Sequence, residues 1–202
     1  MRIRVATIED APALARVIVD TGRAAHRGQV PDEVLLKPAL AEAYAESERN
    51  WLRSLQEIAH GVNPLEQIYV AEDEAGAVAG LAMGGPPKQE ILPNSGEVYV
   101  LYVSAQQQQR GLGRALVQAV ATHLSQMGMS ALLIGCLATN TPARRFYAAM
   151  GGRVVAEREF DHDGVLLPEV VYGWEQLPLP GSGWTPGWQQ KMQVRHSPQE
   201  NS

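Results

Sequence analysis

A glycine-bearing turn between a strand and a helix constrains this chain more than any other feature. Glu97-Val98-Tyr99-Val100-Leu101-Tyr102-Val103 is rich in β-branched and aromatic residues and reads as a strand. Gln108-Gln109-Arg110-Gly111-Leu112-Gly113 follows it. Beyond the turn, Leu112, Leu116, Ala119, Val120, Leu124 and Met127 recur at helical spacing, and Gly128 supplies a C-terminal stop. A turn of this kind aims several backbone N–H groups outward at the positive end of a helix dipole, which suits an anion. Arg110 and Arg114 add two cations, with no carboxylate between Gln106 and Gln118. The chemistry invited here is binding of a phosphate or diphosphate.

The spacing excludes two common phosphate sites. A nucleotide P-loop needs a Lys-Ser/Thr pair after its last glycine, and none is present. A dinucleotide fingerprint needs a third glycine where this chain has Leu116, and it belongs to the first strand of a βαβ unit. What remains is a strand, Leu101-Tyr102-Val103, a short linker, and Gln108-x-Arg110-Gly111-x-Gly113-Arg114-Ala115-Leu116 opening an amphipathic helix. This pattern resembles the acyl-CoA-binding motif of the GNAT family of N-acetyltransferases. Asn140-Thr141-Pro142-Ala143-Arg144-Arg145-Phe146-Tyr147-Ala148-Ala149-Met150-Gly151-Gly152 is similar to a second motif of that family. The resemblance spans roughly residues 1–176 and is most specific over 97–152. Arg153 stands where the family usually has an aromatic residue, and Ser104-Ala105-Gln106-Gln107 lacks the common proline.

The resemblance implies acetyl-CoA as cosubstrate and an amine as acceptor. It implies that backbone N–H groups of Gln108, Gln109, Arg110, Gly111, Gly113 and Arg114 hold the diphosphate, with Cβ-free approach at the two glycines. It places the main chain of Leu101 and Val103, on a splayed strand, along the pantetheine arm or the thioester oxygen. Tyr147 becomes the general acid that protonates the departing thiolate, a phenol of pKa about 10 serving a thiol of pKa about 8.5. Asn140 reads either as the N-cap of the helix opened by Pro142 or as a pantetheine-binding amide. Glu97 reads either as the general base or as a solvated strand-end acid, with Glu72, His26 and Tyr99 as rivals. Asp161, Asp163 and Glu169 are acids that would attract a cationic amine, or hairpin acids in solvent.

The remaining sequence predicts an α/β chain with a mixed sheet (an α+β, GNAT-like fold). Strands are expected at 3–6, 68–72, 77–84, 97–103, 131–137, 154–160 and 165–174. Helices are expected from Ala11 to about Asp20, from Pro38 to Ala59 and after Gly111, with 22–38 irregular. The acceptor pocket is expected from 22–38, the second helix and the last hairpin. One acetyltransferase domain is expected over 1–176, and 177–202 reads as a tail, with Trp184 and Trp188 available to pack on a neighbour in a homodimer. A net charge of −5 argues against nucleic acid, and no apolar run matches a membrane span. His60, His123, His162 and His196 lack metal spacing, so no metal is expected. Cys136 is the lone cysteine, in an apolar strand, and reads as core rather than nucleophile. These features predict a cytoplasmic enzyme working by direct attack in a ternary complex. The rival from another class is an acyl-CoA sensor without turnover.

Overall fold

The computed structural model describes residues 2–36, 38–162 and 164–177. Its centre is a seven-stranded sheet: β1 (Arg2–Val5), β2 (Gln67–Glu72), β3 (Val78–Gly85), β4 (Ser95–Val103), β5 (Ala131–Leu137), β6 (Arg153–His162) and β7 (Val165–Trp174). The spatial order is β1-β2-β3-β4-β5-β7-β6. Neighbours are antiparallel except β4 and β5, which run parallel. That parallel pair requires a crossover, and α4 (Leu112–Gln126) supplies it.

Two apolar layers enclose the sheet. On one face α1 (Ala11–His26) and α3 (Leu40–Ala59) bury Leu14, Val17, Trp51 and Leu55 against Ile68, Val70 and Leu81. On the other face α4 and α5 (Thr141–Ala149) bury Leu116, Val117, Val120 and Tyr147 against Val98, Leu132, Ile134 and Tyr172. A short α2 (Asp32–Leu35) follows α1, and Val30 and Leu35 pack on Leu137 and Leu167 at the ends of β5 and β7.

Element boundaries differ from the sequence reading mainly in the 22–38 segment. Gly22 was expected to end the first helix, yet α1 continues through it to His26. Glycine in a helix interior costs about 1 kcal/mol, and tertiary packing outweighs it. Thr21 is buried and the His26 ring bonds the Tyr102 hydroxyl (Nε2 to O, 3.0 Å), which holds the last turn on the sheet. The helix then ends before Gly28, whose φ is +74°. The tail carrying Trp184, Trp188 and His196, and the hairpin residue Asp163, lie outside the described residues.

The centre of β4 is irregular, and the irregularity shapes the candidate site. Against β3, Met83 pairs with Val100 but Gly84 pairs with Val98, so Tyr99 is an extra, bulged residue. Against β5, pairing covers only Ser95–Val98 with Ala131–Ile134. From Tyr99 onward β4 stays with β3 while β5 follows β7 to Leu137. The two parallel strands therefore diverge into a wedge that opens toward their carboxyl ends.

Beside the bulge, α4 packs closely on the sheet. A Cβ on Gly84 would lie 2.5 Å from Val120 and 2.7 Å from the Glu97 carbonyl oxygen. Gly84→Ala should therefore lower stability by about 1–3 kcal/mol through overpacking, read as a shift of the urea midpoint at unchanged slope.

Candidate active site

The wedge has two walls and a rim. The β4 wall presents main-chain groups from Tyr99 to Val103 that no longer pair with β5. Leu101 and Val103 turn their side chains into the α4 layer, leaving their backbone to face the gap. The Val103 carbonyl also accepts from the Gln108 side chain at 3.0 Å, which ties the strand end to the turn.

The turn forms as its sequence demands. Gln109 (φ +60°) and Gly111 (φ +84°) both adopt left-handed backbone. Gly111 is the N-cap of α4, and its carbonyl accepts from the Ala115 N–H at 3.0 Å. The N–H groups of Leu112, Gly113 and Arg114 belong to the first helical turn, where no intrahelical carbonyl can reach them. Arg110 and Arg114 are exposed beside them. The arrangement is an anion cradle at a helix N-terminus.

The two glycines act differently from each other. A Cβ on Gly111 would meet nothing within 4 Å, so its need is conformational. A Cβ on Gly113 would come within 3.3 Å of the Phe146 ring. Gly113 is thus a close-packing point between the helix that opens the cradle and α5, which carries the second motif. Sequence reasoning assigned both glycines to diphosphate clearance and missed this contact.

Asn140 is the N-cap of α5: its Oδ1 accepts from the Ala143 N–H at 3.1 Å. Its amide NH2 takes no part in that cap. Tyr147, one residue past Phe146, is 5% exposed and packs on Phe146, Tyr172 and Trp174 at centroid distances of 5.4, 5.6 and 6.4 Å. Its hydroxyl makes no hydrogen bond among the described residues, and its oxygen is not among the fully buried unpaired atoms. Burial raises the phenol pKa, and Cys136, Tyr102 and Glu169 add to the rise.

Glu97 corrects one sequence expectation. It is the third residue of β4 rather than its first, and it is 2% exposed rather than solvated. Its Oε1 accepts from Arg158 Nη2 at 2.6 Å and its Oε2 from the Lys88 N–H at 2.8 Å. Arg158 Nε donates to Glu169 Oε2 as well. Glu97, Arg158 and Glu169 therefore form one buried network across β4, β6 and β7, and Arg158 was not legible as a site residue. Glu169 is one of the network's three side chains and 9% exposed, not a hairpin acid in solvent.

The rival residues are occupied elsewhere. Glu72 pairs with Arg4 on the far edge of the sheet (2.6 Å). The Tyr99 hydroxyl donates to the Pro86 carbonyl, and burial raises its pKa, with Glu66 and Glu97 adding to the effect. Asp161 Oδ1 accepts from the Gly164 N–H at 2.7 Å, an exposed hairpin contact. Among the described residues no group of three or more His, Cys, Asp or Glu side chains could hold a metal ion, and no helix is long and apolar enough to cross a membrane.

The match to known proteins agrees with this geometry. A model of the acetyltransferase (GNAT) family matches residues 35–151, more than half of the chain. The chain belongs to the acetyltransferase (GNAT) family. YuaI of Bacillus subtilis (strain 168), described as an uncharacterized N-acetyltransferase, is 34% identical over 175 residues, covering 87% of this chain and 93% of YuaI. The PaiA N-acetyltransferase of Thermoplasma acidophilum, solved in complex with coenzyme A, superposes with a TM-score of 0.63 at 18% identity over 83% of this chain and 96% of that one. YncA of Salmonella typhimurium, solved with its cofactor acetyl-CoA, gives 0.62 at 21% identity, covering 87% and 93%. These two likenesses establish a shared fold. The protein is accordingly an acyltransferase enzyme of the GNAT class, and its sheet is the mixed one of that fold.

Cys136 lies beside the wedge, and its chemistry can be tested alone. Burial pushes its thiol from 9.0 up to about 11, with the Glu169 charge adding to the rise. At pH 8 its thiolate fraction is then about a hundredfold below that of an unperturbed thiol. A disulfide reagent should label native Cys136 at least about a hundredfold more slowly than the urea-unfolded chain.

Proposed function

We propose that this enzyme transfers an acetyl group from acetyl-CoA to a primary amine by direct attack in a ternary complex. The observation that carries the reading is the wedge between β4 and β5, with the N-terminal cradle of α4 at its mouth and Tyr147 at its side. The diphosphate would rest on the N–H groups of Gln108 through Arg114, with Arg110 and Arg114 screening its charge. The pantetheine arm would run along the unpaired backbone of Leu101 and Val103, completing the ladder that β5 abandons. The Asn140 NH2, left over from the helix cap, is a donor for the same arm.

The proton steps follow from the groups present. An amine of pKa about 10 arrives as ammonium at pH 7 and must lose a proton before it can attack. The glutamate network takes that proton, with Glu97 its base through a water molecule. The neutral nitrogen attacks the thioester carbon, and the C–S bond breaks. Tyr147, still protonated because burial raises its pKa, gives its proton to the leaving sulfur. The second proton lost by the new amide nitrogen restores the phenol, so the net products are the amide, free CoA thiol and one proton.

The alternative, an acyl-CoA sensor without turnover, would not need a phenol kept protonated by its surroundings at this point. Tyr147→Phe should lower kcat about a hundredfold or more while leaving acetyl-CoA affinity nearly intact; full activity would remove the general-acid role. Gly111→Glu should abolish CoA binding by placing a carboxylate in the cradle and straining a left-handed residue. Unchanged affinity would remove the anchoring argument.

A further inference from the structure

Glu169 stands at the apex of the wedge, although its backbone is paired farther out. Its Cα pairs with Leu137, the last residue of β5. Its carboxylate folds back over Gly135, where a Cβ would overlap Oε1. Gly135 is the first β5 residue beyond Ile134, the last one paired with β4. The three heavy atoms nearest to that position all belong to the Glu169 carboxylate. The glycine thus makes room for one carboxylate at the point where the strands part. Leu133, Gly135 and Leu137 share one face of β5, the face toward which Glu97, opposite Leu133, also points.

The network is also short of one positive charge. Glu97 and Glu169 are both buried, and Arg158 is the single guanidinium between them. Lys88, the nearest lysine in sequence, sets its ammonium over the Tyr99 ring at 5.4 Å. Arg144, at the rim, is exposed and donates to the Ala138 carbonyl at 3.0 Å. Two buried carboxylates with one cation are costly unless a further cation joins them.

We propose that Glu169 binds the acceptor's ammonium at the apex of the wedge, and that the site selects primary amines bearing no carboxylate near the reacting nitrogen. Arg158 is a positioning residue: it bridges Glu97 and Glu169 and holds the Glu169 carboxylate over Gly135. An acceptor carboxylate would have to approach a network that already carries an excess negative charge. This inference rests on the acetyl-transfer reading above and narrows its acceptor class.

The test is calorimetric titration of the full chain, loaded with CoA, with n-propylamine and with 3-aminopropanoate at pH 7. Propylammonium should bind, and the zwitterion should bind roughly tenfold or more weakly. Glu169→Gln should weaken propylammonium roughly tenfold and leave the CoA titration unchanged. Should that variant fail to fold, Gly135→Ala retains the carboxylate but displaces it, and should show the same loss. No binding of propylammonium, equal binding of both probes, or unaltered binding in the variants would overturn the proposal. Failure of the wild-type chain to bind CoA would sink the donor reading instead. The same amine titrations on the unloaded chain would then still decide whether Glu169 holds an ammonium.

Discussion

β4 cannot serve two neighbours beyond Val98. The bulge at Tyr99 keeps it in register with β3, and from that residue its outer edge turns away from β5. Backbone N–H and C=O groups left unpaired in a sheet interior must find other partners. Here they face the gap that opens between β4 and β5. A donor with amide groups along an extended arm answers that requirement, and the cradle at the start of α4 lies in line with it. Divergence of one parallel pair thus creates the slot, orients it, and places the helix N-terminus at its mouth.

Both halves of the family signature lean on each other through packing. Gly113 meets Phe146, so the helix that opens the cradle and the helix that carries Tyr147 share a contact. Asn140 caps α5 and fixes its start. Tyr147 then packs its ring on Phe146, Tyr172 and Trp174. On the opposite side of the sheet, charge organises the site. Arg158 joins carboxylates from β4 and β7, elements far apart in sequence, beneath the segment that supplies the Lys88 N–H.

The parts of this architecture that were legible in the sequence are those encoded locally. Strand, glycine turn and helix follow one another within 97–128, and their residues carry period and turn chemistry on their face. Cap and aromatic pair sit together in 140–147. The Glu97–Arg158–Glu169 network depends on β7 inserting between β5 and β6, a pairing that no local pattern announces. For the same reason Glu97 read as a strand-end acid, whereas the sheet places it two residues inside β4 and under cover. The first helix ran past its glycine because contacts with Tyr102 outweigh local propensity.

The most direct measurement is calorimetric titration of the full chain with acetyl-CoA, with ATP and NAD as controls. Saturable binding of acetyl-CoA, with neither control binding comparably, is the expected result. Equal binding of all three, or none of acetyl-CoA, would contradict the assignment of the β4–β5 wedge as the donor slot.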